Sequence, residues 1–110
     1  MPDNLKKITP KAKRANTKIE FAFSLYITGA SPNSARAIKN IVELLQAQIP
    51  EKYSLEVVDV YQQPAISEHV NIIALPMLIR TFPGPERRLI GDLSDREKII
   101  ARLELPKISK

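Results

Sequence analysis

The sequence contains no cysteine, no tryptophan and one histidine, His69. Without cysteine there can be no disulfide, no thiolate metal site and no cysteine nucleophile. With a single histidine, a histidine-based zinc site is not expected either. The three glycines, Gly29, Gly84 and Gly91, are isolated, so no glycine-rich loop is available to cradle a phosphate. No apolar run approaches the roughly 18 residues of a membrane span. The first residues are polar and basic without an apolar segment, so no secretory signal is read there and the expected location is the cytoplasm. The 110 residues suit one small domain with a modest core.

Charge is unevenly placed. Residues 1–18 carry six basic side chains (Lys6, Lys7, Lys11, Lys13, Arg14, Lys18) against Asp3, and the remainder balances at 11 basic and 11 acidic. The net charge of +5 therefore belongs to the N-terminal segment. Pro2, Pro10 and the absence of periodicity give residues 1–17 the character of a disordered basic tail, with the domain over 18–106. A basic arm could touch nucleic acid or an acidic partner. No aromatic residue interleaves with its charges, however, and nucleic acid is not expected as a partner.

Residues 19–28 alternate strictly, with Ile19, Phe21, Phe23, Leu25 and Ile27 on one side, which predicts a strand. Thr28-Gly29-Ala30 is a turn. Ser31 can cap a helix by accepting from the Ser34 amide, and Pro32 fits the first helical position, where no amide donor is needed. Ile38, Ile41, Val42, Leu45 and Ile49 recur at helical spacing, so a helix is expected over about 32–48, stopped by Pro50. Leu55, Val57, Val58 and Val60 predict a second strand, apolar on both faces as in a parallel sheet. Strand, helix and strand make a βαβ unit.

Beyond Gln63-Pro64, residues 65–73 read as a short helix, although 70–74 is β-branched enough for a strand. Residues 77–90 read as a hairpin, with Phe82-Pro83-Gly84-Pro85 as its turn. Ser94-Asp95-Arg96-Glu97 is a capping box for a last helix, which Ile99, Ile100 and Leu103 make amphipathic and Pro106 ends. The order βαβαββα is that of thioredoxin.

A redox enzyme of that fold would carry two cysteines at the start of the first helix. Ser31-Pro32-Asn33-Ser34 stands there instead. A serine hydroxyl without a base neither ionises near neutral pH nor forms a disulfide, so thiol redox chemistry is excluded. Leu75-Pro76 precedes a strand, where such folds keep a cis proline, and Pro76 is the expected one. Asp92 and Asp95 are explained by capping and loop closure, and His69 beside Glu68 by a surface position. No catalytic, metal or cofactor-binding residue emerges. Arg80, Arg87 and Arg88 on the hairpin are candidates for a cationic docking patch.

Three stretches carry a family resemblance: Leu25 to Ser34, Leu55 to Val60 with Gln63-Pro64, and, most specific, Ile90-Gly91-Asp92-Leu93-Ser94-Asp95-Arg96-Glu97. They resemble the KaiB family in the right order, over about residues 19–105. Leu75-Pro76-Met77 stands where cyanobacterial members usually have Thr-Pro-Thr, and Lys107 and Lys110 replace an acidic end. The resemblance implies a non-enzymatic regulator that binds a KaiC-like ATPase ring and modulates its phosphorylation cycle, in a circadian clock or in stress-related signalling. A thioredoxin-like adaptor or sensor domain with another partner is the alternative. The resemblance also implies two arrangements sharing the first βαβ. One is a homo-oligomeric resting form, βαββααβ, tetramer or dimer; the other is a monomeric thioredoxin-like form. Gly91 and Asp92 border the segment that would change and are the candidate hinge.

Overall fold

The computed structural model of the chain describes residues 5–8, 19–29, 31–63, 65–66 and 74–106. Its elements are β1 (Leu5–Ile8), β2 (Phe21–Ile27), α1 (Pro32–Gln48), β3 (Tyr53–Asp59), β4 (Met77–Phe82), β5 (Arg87–Ile90) and α2 (Arg96–Leu103). The strands form one five-stranded sheet in the order β1-β3-β2-β4-β5. β2 and β3 run parallel, as a βαβ crossover through α1 requires, and the other pairs are antiparallel.

Period-two alternation sorts the strands onto two faces. One face carries Phe23, Leu25 and Ile27 of β2, Leu55 and Val57 of β3, Leu78 of β4 and Leu89 of β5. Both helices pack on it: α1 through Ala37, Ile41, Leu44 and Leu45, α2 through Ile99 and Leu103. The opposite face buries Tyr26, Val58, Val60, Met77 and Ile79, with Ile66 and Leu75 packed against them. The adjacent β-branched residues Val57 and Val58 bury β3 on both faces. After β3 the chain proceeds through β4, β5 and α2, so of the two arrangements considered for the C-terminal half this structure holds the thioredoxin-like one. The segment read as helix or strand over 65–73 falls mostly outside the described residues, as does His69.

Two expectations need correction. Residues 1–17 were read as disordered, yet Leu5–Ile8 is a strand paired with β3. The open edge of β3 offers a row of unpaired backbone groups, and Leu5 and Ile8 fall in register opposite the buried Val58 and Leu55. Pairing over fifty residues of sequence leaves no local signature. The last helix, second, is not capped by Ser94: the Asp95 carboxylate accepts from the Lys98 amide at 3.1 Å. The Ser94 amide is turned into the loop, donating to the Asp92 side chain at 3.2 Å, and the helix starts one residue later. Asp95→Ala is therefore expected to cost about 1 kcal/mol and Ser94→Ala close to nothing, measured by urea unfolding. The helix ends before Pro106, at Glu104, which adopts the left-handed conformation (φ 57°, ψ 43°) and donates its amide back to Ala101 and Ile100.

Candidate docking site

The C-terminal ends of the parallel strands β2 and β3 meet the N-terminus of α1, the place where α/β folds bind their ligands. Ser31 caps α1, its Oγ accepting from the Ser34 amide at 3.1 Å. The same hydroxyl donates to Ser34 Oγ at 2.9 Å and accepts from Thr28 Oγ1 at 3.4 Å. Ser34 Oγ accepts in turn from the Thr28 amide at 3.2 Å. Ser34 is 1% exposed. The two positions that would carry thiols in a redox enzyme thus hold hydroxyls spent on closing the turn, with no imidazole or carboxylate among their recorded partners.

Gly29 turns the chain at φ +54° and donates to Asp59 Oδ1 at 3.0 Å. The same oxygen accepts from the Tyr61 amide at 2.9 Å, which ties the two strand ends together. Tyr61 itself is 74% exposed. The Leu75–Pro76 peptide bond is cis, and Pro76 faces the helix start across an open cleft lined by Thr28, Ser31, Pro32, Asn33, Arg36 and Leu75. Its volume is about 450 Å³. Arg36 donates to the Asn33 side chain and lies 3.6 Å from the Asp92 carboxylate. The Asn40 side-chain Nδ2 donates to the Asp92 backbone oxygen at 2.8 Å. Asp92 therefore fastens the β5–α2 loop to α1. Gly91, beside it, sits at φ +122° and donates its amide to the Pro76 oxygen at 3.0 Å.

The three arginines do not form one patch. Arg80 and Arg87 are direct cross-strand partners on the helix-bearing face, whereas Arg88 pairs with Ile79 on the other. Arg80 is 2% exposed. It donates to the Leu103 oxygen at 2.6 Å and the Pro85 oxygen at 3.2 Å and lies 3.7 Å from Glu104. Arg87 reaches the other Glu104 oxygen at 2.7 Å. Arg80 and Arg87 together hold the C-terminus of α2 on the hairpin, so Arg80 is structural in this arrangement and not a docking residue. Arg88 is 3.4 Å from Glu86 and donates to the Met77 sulfur at 3.9 Å. Sequence reading missed Asp59, Arg36 and Glu104, each of which has a partner at least 17 residues away.

Burial raises the phenol of Tyr26, opposed in smaller measure by its Ser24 hydrogen bond and Arg88 and reinforced by Glu56 and Glu86, and burial likewise raises Tyr53. Both phenols bind their protons more tightly folded than unfolded, where the value is 10.0. The stability this carries is complete below that pH and is lost as the pH rises through the folded values. Denaturant midpoints should hold up to about pH 9 and fall above 10, less steeply in Tyr26→Phe.

Fold and site together define a thioredoxin-fold domain that has no dithiol. In fold it is similar to the N-terminal domain of Synechococcus elongatus SasA, with a TM-score of 0.64 and 23% identity over 93% of this chain and 97% of that one. It is also similar to mitochondrial thioredoxin 3 from Saccharomyces cerevisiae, at 0.62 and 14% over 78% of each. The KaiB domain matches residues 24–105. The circadian clock oscillator protein KaiB of Trichodesmium erythraeum is 42% identical over 80% of this chain and 85% of its own length. That of Prochlorococcus marinus strain MED4 is 44% identical over 77% and 79%. The chain belongs to the KaiB family. Among the described residues no helix is long and apolar enough to cross a membrane.

Proposed function

We propose that the chain is a non-enzymatic regulator that docks on a KaiC-like ATPase ring and modulates its phosphorylation and ATPase cycle. Membership of a family of clock proteins supports this. The observation that carries it is the spent hydroxyl pair: Ser31 and Ser34 cap and close the turn where the fold's redox members do chemistry. What is left at that edge is a surface. Arg36, 56% exposed and paired with Asp92, is the charged side chain of the cleft lining, and the first turn of α1 holds no acidic residue. Positive potential at a helix N-terminus suits acidic groups on the partner.

In this reading the thioredoxin-like arrangement is the monomeric binding form, in the cytoplasm, and a homo-oligomer of the other arrangement is its resting form. Gly91 and Asp92 are the hinge between them. Titrating the full chain into a purified KaiC-like ATPase tests the reading. A complex at micromolar concentration with a changed rate of phosphate release is expected, together with no reduction of insulin disulfides. Unchanged turnover and no complex would overturn it.

A further inference from the structure

Among the described residues the most exposed large apolar side chain is Tyr61, at 74%. A single exposed phenol is ordinary on a protein surface and by itself points to nothing. What sets Tyr61 apart is how it is held. Its amide donates to Asp59 Oδ1 at 2.9 Å, and the Gln62 and Gln63 amides donate to the Asp59 backbone oxygen at 3.0 and 3.2 Å. Asp59 Oδ1 also accepts from the Gly29 amide at 3.0 Å. One aspartate therefore closes the turn that carries the phenol and fixes that turn to the end of β2.

The side chain also has a seat. Its Cδ2 atom lies 3.7 Å from the point where a Cβ on Gly29 would stand, so the edge of the phenol rests on the glycine. Gly29, at φ +54°, brings no side chain of its own between the two. Thr28, its neighbour in the chain, lines the cleft in front of α1. Phenol and cleft thus form one continuous edge. The other two tyrosines, Tyr26 and Tyr53, are buried in the core.

A fixed backbone carrying an exposed aromatic side chain is the combination that docking rewards. Association must order mobile side chains and loops, and here the loop is ordered beforehand. A tyrosine has only two side-chain torsions to freeze, against roughly 150–250 Å² of surface to bury. A few side chains of this type carry most of the binding energy of an interface. We infer that Tyr61 is the anchor of the docking edge. This rests on the proposed docking to a KaiC-like ATPase ring and names the partner's share of the contact. That share is an apolar pocket for the phenol, floored by a carboxylate or backbone carbonyl that accepts from its O–H.

The test titrates the full chain, Tyr61→Ala and Tyr61→Phe into the same purified ATPase. Tyr61→Ala should bind at least about thirtyfold more weakly, and Tyr61→Phe roughly threefold to tenfold more weakly for want of the hydroxyl bond. Both should melt within about 2 °C of the unsubstituted chain, because a side chain this exposed contributes little to the core. Binding of Tyr61→Ala within about threefold of the unsubstituted chain would overturn the proposal and leave the docking reading standing. No binding by the unsubstituted chain would overturn both. A second measurement needs no substitution. Tetranitromethane should nitrate Tyr61 ahead of the buried Tyr26 and Tyr53, and the bound ATPase should protect it. An unchanged nitration rate at Tyr61 in the complex would overturn the proposal equally.

Discussion

Arg80→Ala is expected to destabilise the domain by about 3 kcal/mol, because it strips the Leu103 and Pro85 carbonyls of their donor at once, the first of these bonds buried and the second partly so. The Leu103 oxygen belongs to the last turn of α2 and the Pro85 oxygen to the hairpin turn, and one guanidinium joins them at 2.6 and 3.2 Å. Its Nε has no recorded partner and is buried, so the side chain already carries an unmet desolvation cost that the two carbonyl bonds and Glu104 must offset. Removal also leaves Glu104 to Arg87 alone. The melting temperature should fall by roughly 15 °C. Arg88→Ala, whose side chain is 34% exposed beside Glu86, should change it by only a few degrees. Equal effects of the two substitutions would show that Arg80 does not clamp α2. The comparison has a functional edge as well: loss of partner binding in Arg80→Ala follows from loss of the fold, and only a variant that keeps its melting temperature reports on docking.

The second large effect is expected at Gly91. Its φ of +122° is closed to residues with a Cβ, yet nothing lies within 4 Å of where that Cβ would be. Gly91→Ala therefore acts through the backbone alone, at about 1–3 kcal/mol. The cost falls on the arrangement described here, because the Gly91 amide bond to the Pro76 oxygen, at 3.0 Å, fixes the β5 end to the cis-proline loop. If Gly91 is the hinge, the substitution drains this arrangement in favour of the resting one, and binding to the ATPase weakens up to about a hundredfold, the same energy read as a population. Backbone chemical shifts of β4, β5 and α2 would follow the change. Shifts and affinity both identical to those of the unsubstituted chain would remove Gly91 from the switch.

How much of this was legible in the sequence depends on the reach of each interaction. β2, α1 and β3 were readable because alternation, a Ser-Pro start and a β-branched run are local signals that the core then rewards. The hairpin was readable for the same reason. β1 was not: two lysines and flanking prolines hide a strand whose only justification is an edge fifty residues on. The cap of α2 was misread by one position because Ser94 and Asp95 both suit the role, and the choice was made by Asp92, which draws the Ser94 amide into the loop. Alternation already separates Arg88 from Arg80 and Arg87. The burial of Arg80 is another matter, since it depends on a carbonyl 23 residues away at the end of a helix. Of the candidate site, the Ser31–Ser34 pair and Pro76 were visible as the places where thioredoxins keep their dithiol and cis proline. The Asp59 and Asp92 ties that shape the cleft were not, because each links segments that only the fold brings together.

An amide-shift titration of the isotope-labelled full chain with an unlabelled KaiC-like ATPase ring bears most directly on the account. Docking at the helix-start edge is expected to broaden or move Thr28, Gly29, Asn33, Arg36, Tyr61 and Leu75 first, while the α2 end around Leu103 and Glu104 stays in place. A spectrum that the ring leaves unchanged, or changes confined to residues far from that cleft, would contradict it.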